Sequence, residues 1–150
     1  MALTTNDANA LRGTIPDPTA ATNVIALLNT PTSSGPTGGI GYTTGAGGAV
    51  TQATSKTTGV TLSKVSGQIT MNNAALGAAA EAVFTVTNTV VAATDVPVVA
   101  IASGGTSGAY VVSVAAVAAG SFDIVVSNVS AGSLSEAIVL NFAILKAVAA

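Results

Sequence analysis

Few side chains in this sequence could do chemistry. Six carboxylates (Asp7, Asp17, Glu81, Asp95, Asp123 and Glu136) and four bases (Arg12, Lys56, Lys64 and Lys146) carry all of its charge, and His and Cys are absent. The chain therefore has no imidazole base, no thiolate and no disulfide, and it lacks the commonest metal ligand. A serine nucleophile would need a lysine base, yet no Ser-x-x-Lys occurs. Glycoside hydrolysis needs two facing carboxyls and usually aromatic platforms for the sugar, for which three Phe, two Tyr and no Trp are a poor supply. If 121–146 folds as a hairpin, Asp123 and Glu136 approach across it as an acid pair or a Ca²⁺ site. The ordinary reading is two solvated strand-end carboxylates. Gly45-Ala46-Gly47-Gly48 has the texture of a phosphate loop, but Val50 stands where the third glycine of G-x-G-x-x-G belongs, so the run reads as a flexible junction. Asn128-Val129-Ser130 matches a glycosylation sequon, which matters only on a secretory route. No catalytic residue, cofactor or metal is expected.

The elements around these residues are set by composition. Apolar residues make up 49 % of the chain and charged ones 7 %, against about 25 % charged in an ordinary soluble domain. The surface must then be built from Thr, Ser, Asn, Gly and Ala, and a net charge of −2 does little to keep copies apart, so self-association is expected. Four bases make no patch able to neutralise several phosphates, which argues against nucleic acid as a partner. Mean hydropathy is positive, but no apolar run reaches the roughly 18 residues of a membrane span; the nearest, Ala109 to Ala119, contains Ser113 and ends at Gly120. The opening residues lack the basic and apolar regions of a secretory signal, so synthesis in a cytoplasm is expected.

Residues 1–48 hold four of the five prolines (Pro16, Pro18, Pro31 and Pro36) and end in a Gly-rich stretch. They read as an extended N-terminal arm whose short apolar cluster, Val24, Ile25, Leu27 and Leu28, is the candidate partner anchor. Residues 49–150 read as an all-β module, an antiparallel β-sandwich with a jelly-roll-like spacing of about eight short strands. Residues 50–54 form a short strand. Residues 59–65 and 68–71 are expected to pair as a hairpin turned at Ser66-Gly67, and 72–77 is a loop. Glu81 to Asn88 alternates with Phe84 and Val86 inward. Residues 96–102 and 109–117 are expected as antiparallel partners. In the final segment Phe122, Ile124 and Val126 alternate, as do Ile138, Leu140, Phe142 and Ile144, with turn chemistry in 130–133. Because Val139, Ala143 and Leu145 make the opposite face of the final strand apolar too, that strand should lie centrally in its sheet. These three are the candidate oligomer interface.

The stretches TTGVTLSKVSGQITMNNAAL (57–76) and ASGGTSGAYVVSVAAVAAGSFDIVVSNVSAGSLSEAIVLNFAILK (102–146) resemble a β domain recurring in virion structural proteins of tailed bacteriophages, among them head-decoration and fibre proteins. The ending SLSEAIVLNFAILK is the most specific part. The resemblance implies a non-enzymatic, homotrimeric β module on the virion surface, made in the host cytoplasm. As a capsid decoration (cement) protein it would have the major capsid protein as its partner, with the arm lying on the capsid lattice. The alternative is a tail or baseplate fibre module that binds a host-surface receptor or glycan.

Overall fold

The structure, a computed structural model, describes residues 9–10, 13–14, 19–20, 22, 41–42 and 45–149. The chain divides into two compact units, Met1–Gly41 and Tyr42–Ala150. In the first unit the described residues before 41 have helical backbone, and Thr14 Oγ1 donates to the Ala10 carbonyl. The anchor Val24, Ile25, Leu27 and Leu28 lies outside the described residues, while Tyr42 and residues 45–48, the end of the expected arm, belong to the second unit.

The second unit is all-β. Its strands are β1 (Ala49–Thr51), β2 (Val60–Thr61), β3 (Ser66–Thr70), β4 (Glu81–Thr87), β5 (Val96–Ser103), β6 (Tyr110–Ala118), β7 (Ser121–Asn128) and β8 (Val139–Leu145). They form a front sheet in the order β1-β3-β8-β5 and a back sheet in the order β2-β4-β7-β6. The central pairings are antiparallel, while the short strands β1 and β2 pair in parallel with β3 and β4, so both sheets are mixed. Strand β8 is central as expected, between β3 and β5.

Period-2 alternation builds the core. In β4 and β7 every second side chain is buried: Ala82, Phe84 and Val86 face Phe122, Ile124 and Val126 within the back sheet's inner layer. Leu140, Phe142 and Ile144 of β8 supply the front sheet's layer. The Phe122 and Phe142 rings join the two layers with centroids 5.5 Å apart and planes tilted by 60°. A bulge between Val114 and Ala116 re-phases β6, so that Val117 returns to the inner side after Val114.

Three expected pairings are corrected. Residues 59–65 and 68–71 do not form a hairpin, because β2 lies in the back sheet and β3 in the front. Gly67 is a strand residue, not a turn: a Cβ there would stand 2.6 Å from Leu62 Cδ2 and 2.8 Å from Phe142 Cε1. Strand β5 pairs with β8 and not with β6, and β7 pairs with β4 and β6 and not with β8. The physical reason is common to all three. Each strand turns an apolar face inward, and crossing between sheets lets consecutive strands bury those faces against each other instead of side by side. Consecutive strands pair only at β6–β7, across a two-residue turn in which Gly120 takes φ +86°.

Candidate functional site

The connections between strands gather at the two ends of the sandwich. At one end lie 52–58, 71–80, 104–109 and 129–138. At the other lie 62–65, 88–95 and 119–120, together with Tyr42, whose hydroxyl donates to the Ile144 carbonyl, and Lys146.

At the first end Asn128, fully buried, donates from Nδ2 to the carbonyls of Leu76, Gly77 and Gly132 at 2.8–2.9 Å, while its Oδ1 accepts from Ser130. Beside it is a cluster that the sequence did not signal. Lys56 is 3 % exposed, and its Nζ donates to the carbonyls of Asn72, at 2.7 Å, and Glu136. Buried Gln52 accepts from the Asn72 amide at 3.1 Å and donates to the carbonyls of Lys56 and Thr58. The Glu136 carboxylate takes the hydroxyl of Thr106 at 2.8 Å and its amide at 3.1 Å. Burial pulls the Lys56 pKa down, opposed by the Glu136 charge, and the Thr106 bonds hold the Glu136 carboxyl below its ordinary value. The hydroxyl of Tyr110 is buried beside Glu136 without a well-aligned hydrogen bond, and burial first, then that carboxylate, pushes its pKa up to about 12. The ammonium is committed to backbone carbonyls and the carboxylate to Thr106. The cluster fastens loops to one another and leaves no free base beside a nucleophile.

At the other end Lys146 Nζ and Asp95 Oδ2 form an ion pair at 2.6 Å, and Lys146 also donates to the Val90 carbonyl. The Ala92 amide, at 2.8 Å, and then Lys146 hold the Asp95 carboxyl low. Asp123 and Glu136 are not brought together. Asp123, near the start of β7 on the outer back sheet, accepts from Thr85 Oγ1 at 2.7 Å, whereas Glu136 lies in the loop beyond the end of that strand. With β7 and β8 in different sheets the postulated acid pair does not form. No group of three or more acidic, His or Cys side chains able to hold a metal occurs among the described residues. None of their helices is long and apolar enough to cross a membrane.

The outer face of the front sheet is the surface of interest. Val139 and Ala143 are half-buried there and Leu145 is 51 % exposed. Strand β5 adds Val96, opposite Leu145 and 50 % exposed, and Val98, opposite Ala143 and 49 % exposed. In the middle, Gln68 Nε2 donates to Asn141 Oδ1 at 3.1 Å. No strand of the front sheet carries a charged residue, whereas the outer back sheet presents Glu81 and Asp123. Sequence periodicity found the β8 residues; Val96 and Val98 join them only through the β5–β8 pairing. Comparison with protein-family models, with curated proteins and with solved structures finds no match.

Proposed function

We propose that this chain is a non-catalytic virion structural protein, a capsid decoration protein that forms homotrimers on the phage head and stabilises the shell. The observation that carries the reading is the outer face of the front sheet, where Val96, Val98, Ala143 and Leu145 make an apolar stripe on strands without a charged residue, the Lys146–Asp95 ion pair lying at its end. Covering that face with part of another copy buries no charge from the front strands, while burying the outer back sheet would desolvate the carboxylates Glu81 and Asp123. The resemblance of 57–76 and 102–146 to virion β domains supports the setting. Attachment through residues 1–48 to the major capsid protein would begin at the end marked by Tyr42 and Lys146. The loops 71–80, 104–109 and 129–138 would then face outward. Trimers at that site add buried area between capsomers and oppose internal pressure without any reaction. Reconstruction of virions carrying this chain tests the reading: density for the sandwich on the head lattice supports it, and density confined to the tail rejects it in favour of a fibre module.

A further inference from the structure

The two sides of the sandwich are unlike. One is closed by the short strands β1 and β2, the other by the long edge strands β5 and β6, each bonded on one side alone. Edge strands present unpaired N–H and C=O groups, and proteins ordinarily protect long ones with lysine or proline, with bulges, or by covering them. Here no charged residue occurs from Val96 to Gly120, which takes in both strands, and the one proline, Pro97, stands at the start of β5. The seam between them is also incompletely covered: inward-facing Val99, Val112, Val114 and Val117 are only partly buried, and Ile101 is exposed. Each edge is interrupted by one bulge, at Ile101/Ser103 in β5 and at Val114/Ala116 in β6, but no charge guards either, and an uncharged, apolar pair of edges on one side of the molecule calls for an uncharged β partner.

We infer that this side is the subunit seam, with β5 of one copy pairing antiparallel to β6 of the next around a three-fold axis parallel to the strands. The inference rests on the proposed trimer and specifies how it closes. Joined by 104–109, β5 and β6 run in opposite directions. When three copies turn this side toward a common axis, each front-sheet edge meets a neighbour's back-sheet edge with the opposite strand sense that antiparallel bonding requires. Such a contact is heterologous, and a three-fold rotation closes it with neither β5 nor β6 left as a free edge. The lengths match, β5 having 8 residues and β6 having 9. The front sheet of each subunit then continues into the back sheet of the next, and Val96 and Val98 lie at the junction, so the stripe on the front sheet is the flank of the same interface. A second copy fits because it supplies both edges, uncharged and equal in number.

The test uses the purified full chain in three forms: wild type, Ala100→Lys on exposed β5 and Ser113→Lys on exposed β6. Light scattering is expected to give a wild-type trimer and two monomeric variants with far-UV circular dichroism like the wild type. Hydrogen exchange on the wild type gives a reading that needs no variant: amides of β5 and β6 directed away from β8 and β7 should exchange about tenfold more slowly in the trimer than in the diluted monomer. A wild-type trimer that both variants preserve, without added protection, overturns the pairing and leaves the trimer standing. Dissociation by Ala100→Lys alone, with protection confined to β5, also overturns it, since β6 then takes no part. A wild-type monomer removes the trimer and the pairing with it.

Discussion

Val96 and Leu145 stand opposite one another across the β5–β8 pair, each about half exposed on a sheet whose strands carry no charge. Half-exposed apolar pairs in cross-strand register are surface that a partner can dry without dismantling the fold. A buried Leu contributes roughly 1.5–3 kcal/mol. Leu145→Asp should therefore dissociate the oligomer while leaving the sandwich folded. The matched control is Val83→Lys, because Val83 is 47 % exposed on the outer back sheet, beside Glu81. Light scattering should show Val83→Lys unchanged. Thr85→Asp would be a poor control, since Thr85 donates to Asp123 and a carboxylate there would meet another.

Lys56 tests whether the loop cluster is structural. Lys56→Met keeps an unbranched apolar stem but leaves the carbonyls of Asn72 and Glu136 without their donor. A cost of about 1–3 kcal/mol in urea unfolding is expected, offset in part by removal of a buried charge. An unchanged midpoint together with lost particle binding would assign Lys56 to an interface instead.

Strand identity was legible in the sequence and strand partnership was not. Alternation in Glu81–Thr87 and in Phe122–Val126 specifies which side chains turn inward, and it also identified β8 as central because both its faces are apolar. Period 2 says nothing about which sheet a strand joins. Ser66-Gly67 and 130–133 carry turn chemistry, yet Gly67 is a β3 residue under Leu62 and Phe142, and 129–138 is a crossing held by the Leu76–Leu134 bridge and by Asn128. Lys56 gave no signal at all, since its partners are backbone carbonyls from residues 72 and 136. The anchor proposed at Val24 to Leu28 is a reading of sequence alone.

Acid should weaken the fold in a defined direction. Glu136 and Asp95 both have folded-state pKa values below their ordinary 4.5 and 3.8. The stability they contribute is therefore present above those values and lost as pH falls through the lowered folded-state ones. Lys56 has the opposite shape: its folded pKa lies below 10.5, so its ammonium is a penalty in the fold that eases as pH rises through that folded value toward 10.5. Thermal melts from pH 7 down to 2 should show a declining midpoint, and the decline should flatten in a Glu136→Gln/Asp95→Asn double variant. An identical slope in the double variant would move the acid sensitivity elsewhere.

The unit boundary at Gly41/Tyr42 sets where the chain can be cut. Tyr42 and Gly45 bond to the sandwich through Ile144 and Lys64, and the Gly48 carbonyl accepts from Gln68, so 42–48 belong with the β unit. Deleting 1–41 should leave a folded oligomer that no longer binds particles. A truncation that unfolds would mean that residues 1–41 complete the core.

The central claim is that the outer front-sheet face and its β5 side are covered by copies of this chain. Light scattering coupled to size exclusion on the full chain measures this most directly. The account predicts a species of three times the 14.3 kDa chain mass at micromolar concentration, reduced to a single chain by Leu145→Asp. A wild-type chain that runs at 14.3 kDa over the same range would contradict it.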